Sequence, residues 1–253
     1  MLILLSPAKN MNEDRAAGQA RSTPRFLAEA ETLVSVARDW SQDEISQLMQ
    51  VSPAIAELNV TRFAEWTPAS GRALAAGQIF DGDVYKHLEM QTMDDATLSE
   101  AARRLRILSG LYGLLRPTDA VRAYRLEMGR KIPGHAAGTL YRFWGDKIAR
   151  AIVDEAHALE TGVILNLASE EYAKAVDRNA LTDLTMIDAR FEEERGGERR
   201  VIGVTAKRAR GAMARWVLEN GITDPKDLEG FDKDGFAFDV DASTPTRPVF
   251  LRA

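Results

Sequence analysis

The chain has 253 residues, of which 33 are Lys or Arg and 38 are Asp or Glu, giving a formal net charge of −5 at pH 7. This balance excludes a uniformly basic nucleic-acid coat, and the absence of cysteine excludes disulfides, thiolate metal sites, iron–sulfur clusters and a cysteine nucleophile. No apolar run approaches the roughly 20 residues that span a bilayer, so we expect a cytoplasmic globular protein without a membrane partner.

The first predicted element is a buried strand at residues 2–5, an apolar run too short for the core of a signal peptide. Lys9 follows this strand, at the position where ligand crevices of α/β sheets lie, although a solvated loop lysine is the alternative. A polar loop at 10–23 then leads into three helices within about residues 24–66. Ser41 begins a capping box for the second helix, and Ser52 caps the third, with a proline at its first position.

The stretch 107–129 is the one around which the chain is organised. Apolar side chains at helical spacing precede it, and Gly110 is predicted to end that helix. Gly113 follows three residues later, and Arg116 and Arg125 lie nearby. A helix, two glycines and another element outline a helix-hairpin-helix, which offers backbone N–H groups to a phosphate. The usual motif has its glycines two apart, so a helix stop followed by a loop is the alternative.

Two basic stretches lie on an otherwise acidic chain. Residues 102–131 carry a net charge of +6, and residues 199–215 also carry +6, which leaves −17 on the remainder. Such local concentration of positive charge indicates a confined anion site rather than general attraction to polyanions.

The later elements begin with a buried strand predicted at 162–168. Two strand-like runs at 184–194 and 200–206, separated by two glycines, predict a β-hairpin. Lys207 and Arg210 follow at the expected start of a helix, where cations oppose the helix dipole and a bound anion would offset the cost. A solvated first turn with flexible side chains is the alternative.

Several common motifs are absent from the sequence. There is no Gly-x-x-x-x-Gly-Lys-Ser/Thr loop for a nucleoside triphosphate and no Gly-x-Gly-x-x-Gly for a dinucleotide. The three histidines are scattered without the spacing of metal ligands. The sequence therefore predicts neither a cofactor nor a bound structural metal.

Seven short motifs, in order along nearly the whole chain, resemble the peroxide stress protein YaaA family. They are SPAK at 6–9, GDVY at 82–85, LSGLYGLLRP at 108–117, YRLEMG at 124–129, FWGD at 143–146, NLASEEY at 166–172 and AKRARG at 206–211.

The resemblance implies a cytoplasmic bacterial protein that supports survival under hydrogen peroxide by limiting free intracellular iron. It also implies an α+β (mixed α/β) fold particular to the family, with a central mixed β-sheet flanked by helices and a helix-hairpin-helix-like element, here placed at 108–117. We expect one domain over 1–253. The resemblance further implies a basic cleft that binds DNA. It implies no established reaction.

The first hypothesis is therefore a protein that binds double-stranded or distorted DNA with low sequence specificity. We expect its cationic turns to fold into one positive recess for phosphodiester, and the sequence leaves the oligomeric state open, with a monomer compatible. The predicted phosphate-binding residues are Lys9, Ser109, Gly110, Gly113, Arg116, Arg125, Lys207 and Arg210.

The alternative is an enzyme acting on a nucleotide or a nucleic-acid base in the same pocket. Phosphate binding alone does not require the carboxylates and phenols at turns and strand ends, and their convergence would favour acid–base chemistry. These residues are Asp83, Tyr85, Tyr112, Tyr124, Glu127, Asp146, Asn166, Ser169 and Tyr172. Direct iron binding by a pair such as Glu170 and Glu171 is a third hypothesis, weakened because adjacent acids on one segment do not face each other.

Overall fold

The computed structural model describes residues 1–14, 22–68 and 73–253, so residues 15–21 of the expected polar loop lie outside the described residues. The helices are α1 Leu27–Ala37, α2 Gln42–Met49, α3 Pro53–Glu65, α4 Ala76–Ile79, α5 Asp83–Leu88, α6 Asp95–Arg104, α7 Leu140–Trp144, α8 Lys147–Ala158, α9 Glu170–Ala173 and α10 Gly203–Glu219. The strands are β1 Leu2–Leu5, β2 Asn10–Met11, β3 Leu74–Ala75, β4 Phe80–Asp81, β5 Leu105–Ser109, β6 Gly113–Leu115, β7 Ala120–Val121, β8 Val163–Asn166, β9 Thr185–Asp188, β10 Arg190–Arg195, β11 Glu198–Arg200, β12 Phe236–Phe238 and β13 Val249–Arg252. The fold is mixed α/β, which confirms the predicted class.

The central sheet has five strands in the order β6-β5-β1-β8-β9. Strands β5, β1, β8 and β9 are parallel, and the edge strand β6 is antiparallel to β5. All residues of β1 are buried, as expected for a strand in the middle of a parallel sheet that is covered on both faces. Because β1 and β8 are parallel neighbours, they end at the same edge of the sheet, where α/β folds place their ligands.

A second sheet has the order β11-β10-β13-β12 and encloses a cluster of phenylalanines. Phe191 stacks on Phe250 with ring centroids 5.5 Å apart, and Phe231 and Phe236 meet Phe191 edge-on. The expected glycine turn at 196–197 joins β10 to β11 with positive φ at both glycines. The hairpin is confirmed there, but its expected first strand is divided between β9 in the central sheet and β10 in this one.

Helices α2 and α3 confirm their predicted start signals, whereas α1 begins after Phe26 without a side-chain cap. Ser41 and Glu44 form the reciprocal hydrogen bonds of a capping box at the start of α2. The Ser52 side chain caps α3, and Pro53 occupies the first helical position, where a missing N–H costs nothing.

The predicted helix-hairpin-helix at 108–117 is wrong. Helix α6 ends at Arg104, and residues 105–109 form the buried strand β5 beside β1. A tight turn then leads into β6, so the glycines join two antiparallel strands instead of two helices. Short apolar runs fit a helix and a buried strand equally well, and here the pairing with β1 decides in favour of the strand.

The predicted strand at 200–206 is also wrong beyond Arg200. Helix α10 begins at Gly203 and packs along α5, and its Ala206 and Ala209 are buried. Lys207 and Arg210 therefore lie inside the helix and not at its first residues, and the dipole argument for an anion at the helix start does not apply to them. Over the described ranges, no helix combines the length and apolar character needed to cross a membrane.

Candidate functional site

A cavity of about 510 Å³ opens where β1 and β8 end. Its walls come from the loops after these strands, from the start of α5 and from α10. The lining residues are Ser6, Pro7, Ala8, Lys9, Asn10, Asp81, Gly82, Asp83, Val84, Tyr85, Glu127, Leu167, Ser169, Glu170, Glu171, Tyr172, Lys207 and Arg210. This volume lies within the roughly 300–1,000 Å³ of small-molecule sites, and we call it the strand-end cavity.

Hydrogen bonds between the two loops fix the floor of the strand-end cavity. The Ser169 backbone N–H donates to Ser6 Oγ at 2.8 Å, and Ser6 Oγ donates to Ser169 Oγ at 3.2 Å. The Tyr85 hydroxyl donates to the Ser6 carbonyl at 2.9 Å. Burial raises the pKa of Tyr85 well above its usual value, so the phenol stays neutral and serves as a donor. The floor is therefore preorganised.

A buried carboxylate, Glu127, gathers three cations at one wall. Its Oε1 lies 3.7 Å from Lys9 Nζ and 3.2 Å from Arg125 Nη2, and its Oε2 lies 3.2 Å from Arg130 Nε. The Glu127 side chain is 4% exposed, whereas that of Lys9 is 61% exposed. Buried carboxylates require such compensation, and the arrangement anchors Lys9 beside the cavity while its ammonium remains accessible.

Tyr172 completes the wall next to Glu127. Burial raises the pKa of its phenol well above the usual value, and the charges of Glu171 and Glu127 act in the same direction. Glu171 also accepts a hydrogen bond from the Gly129 backbone N–H at 2.9 Å, which ties the segment after Glu127 to α9. A neutral phenol at this place can donate a hydrogen bond to a ligand.

Lys207 and Arg210, the two α10 cations that line the cavity, lack partners among the described residues, whereas Arg215 farther along α10 pairs with Glu89 and Glu219. Lys207 and Arg210 are three residues apart, so they share one face of the helix. Arg210 Nε is buried without a hydrogen-bond partner, and this burial lowers the pKa of the guanidinium. In the described ranges, neither side chain forms an ion pair. Because Arg210 keeps an unused donor and lies beside Lys207, this wall can accept an anion.

The strand-end cavity is not the basic cleft that the resemblance implies. Its lining carries three Lys or Arg side chains against five Asp or Glu side chains. Asp83 lies at the first residue of α5, and Glu170 and Glu171 lie at the start of α9. The lining therefore combines cations and acids.

The structure brings together many of the predicted site residues. The members of both predicted sets that line the strand-end cavity are Lys9, Asp83, Tyr85, Glu127, Ser169, Tyr172, Lys207 and Arg210. Arg125 reaches it only through Glu127. Asn166, at the end of β8, donates to Asp188 Oδ1 at 2.7 Å and accepts from the Ala168 N–H at 3.0 Å, so it shapes the following loop.

Another group of predicted residues lies in the protein interior. Ser109 is fully buried, and its Oγ lies 2.6 Å from the Tyr124 hydroxyl. Tyr112 accepts a hydrogen bond from Trp66 Nε1 at 2.9 Å. Gly110 and Gly113 are buried as well. These residues cannot offer groups to a nucleic-acid phosphate, and the glycines serve close packing instead.

Two further predicted residues lie elsewhere on the molecule. Arg116 lines a different cavity, where it contacts Glu155, so the expected single recess for Lys9, Arg116 and Lys207 is wrong for Arg116. Asp146 precedes α8 and pairs with Arg150 on the surface. Spacing along the sequence could not show on which side of the sheet each turn would lie.

Sequence reasoning missed several residues of the strand-end cavity. The sequence indicates Ser6 only as part of a strand end and Asp81 only as part of a turn. It also does not by itself link Arg130 to Glu127, although the two are three residues apart. The i, i+3 spacing of opposite charges was the available signal for that pair. Within residues 1–14, 22–68 and 73–253, no group of three or more His, Asp or Glu side chains is placed to hold a metal ion.

The chain is similar to known proteins along nearly its whole length. A family described as peroxide stress protein YaaA matches residues 1–242. A UPF0246 protein of Ruegeria sp. (strain TM1040) is 67% identical over 252 residues, with 100% of both chains covered. A UPF0246 protein of Cereibacter sphaeroides is 49% identical over 259 residues, again with 100% of both chains covered. A UPF0246 protein of Paracidovorax citrulli is 44% identical over 256 residues, covering 100% of this chain and 98% of the relative.

Proposed function

The chain belongs to the peroxide stress protein YaaA family, and on this premise we propose that it binds a nucleotide, free or within DNA, in the strand-end cavity. The observation that carries the proposal is Arg210, a half-buried arginine whose Nε has no hydrogen-bond partner among the described residues, on the same helix face as Lys207. A phosphate group supplies the anion that this wall lacks.

The acids of the lining complement the other end of such a ligand. Nucleobases present N–H and NH₂ donors, which carboxylates accept. Asp83 and Glu127 supply carboxylates to the lining, and the neutral phenols of Tyr85 and Tyr172 supply further polar groups. A ligand with a phosphate at one end and a base at the other uses both the cations and the acids of the lining, whereas a phosphate alone uses only the cations.

The cavity shape favours a single nucleotide over a long stretch of duplex backbone. A concave site of about 510 Å³ admits one nucleotide unit. Proteins that reach one base within DNA take it from a single strand or extrude it from the stack. DNA binding with low sequence specificity would then act on ends, gaps or distorted sites. Any effect on iron-dependent damage follows indirectly, through the DNA that is bound.

A catalytic role on the nucleotide or base is the second candidate. The supporting observation is Glu127, a carboxylate buried at the cavity wall within 3.7 Å of Lys9 Nζ. Carboxylate, ammonium and phenol groups around one recess are the components of acid–base catalysis. Release of a modified base or dephosphorylated product from a nucleotide panel, lost in Glu127→Gln, tests this candidate separately from binding.

The test of binding is a calorimetric titration with nucleoside monophosphates and, in parallel, with a labelled single-stranded and a duplex oligonucleotide. Arg210→Gln should weaken binding roughly tenfold or more, since one charge-assisted hydrogen bond contributes about 1.5–3 kcal/mol. Arg208→Gln is the matched control, because Arg208 is an exposed neighbour on α10 that does not line the cavity.

Two results would contradict the proposal. One is the absence of heat for every nucleotide and oligonucleotide at millimolar concentration. The other is equal weakening by Arg208→Gln and Arg210→Gln, which would indicate attraction to the general charge of α10 instead of a site.

A further inference from the structure

A second cavity of about 250 Å³ lies between α8 and the β6 edge of the central sheet. We call it the arginine cavity, and its lining residues are Thr23, Arg25, Arg106, Leu114, Leu115, Arg116, Asp119 and Glu155. It shares no lining residue with the strand-end cavity. Its volume falls below the roughly 300 Å³ at which small-molecule sites begin, so it suits a compact ion.

One carboxylate serves three guanidinium groups in the arginine cavity. Glu155 Oε2 accepts from Arg106, and Glu155 Oε1 lies 2.8 Å from Arg116 Nη2 and 3.2 Å from Arg25 Nη2. The Glu155 side chain is 8% exposed. Burial raises the pKa of Glu155, but the hydrogen bonds and charges of Arg106 and Arg116 outweigh burial and lower it overall. Glu155 is thus ionised and contacts three cations, one of which, Arg25, also pairs through Nη1 with Asp154 Oδ2 at 2.9 Å.

The other acid of the lining, Asp119, accepts its hydrogen bonds from a hydroxyl and a backbone N–H. Asp119 Oδ1 accepts from Ser22 Oγ at 2.7 Å, and Asp119 Oδ2 accepts from the Arg116 backbone N–H at 2.8 Å. Its pKa is raised by burial. Asp119 therefore holds the backbone around the cavity and forms no ion pair in the part of the chain that the structure describes. The lining keeps three guanidinium groups against two carboxylates.

The arginines retain unused donors. Arg106 is 3% exposed; its Nη1 donates to the carbonyls of Ala102 and Leu105, yet its Nε is buried without a partner. Arg116 pairs through Nη2 alone among the described residues, and its side chain is 46% exposed. A guanidinium has five N–H donors in a planar fork that fits an oxyanion. Arg106 and Arg116 therefore retain donors that no group of the described residues accepts.

We infer that the arginine cavity binds a small tetrahedral oxyanion of the phosphate or sulfate class. Arg116 and Arg25 hold it at the rim, Arg106 supplies charge from beneath, and the Thr23 hydroxyl adds a donor. Bound there, the anion joins α8 to β6 and the segment that follows it, and it stabilises the folded state in proportion to its concentration.

The experiment uses inorganic phosphate and sulfate as probes on the whole protein, with chloride at equal ionic strength as reference. Thermal unfolding and calorimetry are recorded for the natural chain, Arg116→Gln, Arg25→Gln and Arg210→Gln. Phosphate should raise Tm of the natural chain and of Arg210→Gln alike. The phosphate affinity of Arg116→Gln and Arg25→Gln should fall roughly tenfold or more, the loss of one charge-assisted hydrogen bond.

The readout is the phosphate-dependent shift, so a lower starting Tm of a variant does not obscure it. Arg116→Lys, which keeps the charge and removes the planar fork, should bind phosphate with intermediate affinity. The inference is overturned by equal shifts in all variants, by a shift that disappears only in Arg210→Gln, or by no shift beyond that of chloride. Because the nucleotide titration reports on Arg210 and this one on Arg116, the two proposals fail independently.

Discussion

Gly110 and Gly113 lie where neighbouring atoms leave no room for a Cβ. A Cβ on Gly110 would lie 2.1 Å from the Leu126 carbonyl oxygen, and one on Gly113 would lie 2.7 Å from Trp144 Cζ3. Gly113 also has φ +67°, which side chains disfavour. Trp144 Nε1 donates to the Gly110 carbonyl at 3.0 Å, so the turn is bound to the core. The requirement for glycine here is steric.

We predict that Gly110→Ala lowers the free energy of unfolding by about 2–4 kcal/mol, because backbone at both sides must shift to admit the methyl group. Gly162→Ala is the control: the nearest atom to its Cβ is 3.9 Å away, and the change should stay within about 0.5 kcal/mol. Urea denaturation measures both. If Gly110→Ala were fully stable but lost DNA binding, the glycine turn would be a ligand contact after all.

Glu155 makes stability depend on pH at the acid end. Its folded-state pKa is lowered from an ordinary value of 4.5, so the unfolded chain binds the proton more readily. The stabilisation is present above pH 4.5 and is lost as the pH falls through the folded-state pKa.

We predict that Glu155→Gln lowers the free energy of unfolding by about 2–4 kcal/mol at pH 7, because it leaves Arg106 buried without a charged partner. The difference in free energy of unfolding between the variant and the natural chain should become smaller as the pH falls below the ordinary carboxyl pKa. Denaturant titrations at neutral and acid pH give the answer, with the exposed Glu57→Gln as control. A gap that stays constant with pH would show that the carboxylate charge does not matter.

At the scale of elements, the separation of α5 and α10 sets the width of the strand-end cavity. Helix α5 carries Asp83 and Tyr85, and α10 carries Lys207 and Arg210. The two helices touch at Gly211, where an added Cβ would lie 2.0 Å from the Val84 carbonyl oxygen. A glycine in the middle of a helix destabilises the helix by about 1 kcal/mol relative to alanine. The close approach of α5 to α10 at Gly211 therefore offsets this loss.

We predict that Gly211→Ala both destabilises the protein, by about 2 kcal/mol or more, and weakens nucleotide binding, because α5 and α10 are forced apart. Gly203→Ala, at the open start of α10, should leave binding intact and change stability only through helix propensity, since its Cβ meets nothing within 4 Å. Unfolding and titration are measured on the same preparations. Unaltered affinity in a destabilised Gly211→Ala protein would separate the cavity from this contact.

The sequence predicts elements well where local signals are explicit. The capping box of α2, the Ser-Pro start of α3 and the strands β1 and β8 all follow from short patterns that tertiary contacts do not override. The strand β5 does not, because its apolar run fits a helix until β1 pairs with it. The start of α10 fails for the same reason, since α5 supplies the surface that favours a helix.

The candidate site is likewise predictable where local signals place a residue and unpredictable where tertiary contacts decide. The edge where β1 and β8 end is predictable, because parallel strands present their ends together, and Lys9 and Ser169 were found in this way. The position of Arg116 was not predictable. It depends on β6 running antiparallel to β5, which carries the chain back along the sheet toward Glu155 and away from the strand ends.

At the scale of the whole molecule, the distribution of charge limits how a polyanion can bind. The chain carries a net charge of −5, and the strand-end cavity contains Lys9, Lys207 and Arg210 as its cations. With up to three phosphate contacts, log K for single-stranded DNA should fall against log salt with a slope of about −2. Titrations at several salt concentrations measure this slope. A slope several times steeper would require an extended basic surface.

Peroxide survival tests most directly whether the strand-end cavity is the working site of this family member. A bacterial strain that lacks its own family member receives the natural chain, Arg210→Gln or Arg208→Gln, with protein abundance checked by immunoblot. Colony counts after a hydrogen peroxide challenge should show rescue by the natural chain and by Arg208→Gln, and loss of rescue by Arg210→Gln. Full rescue by Arg210→Gln at equal abundance would contradict the account.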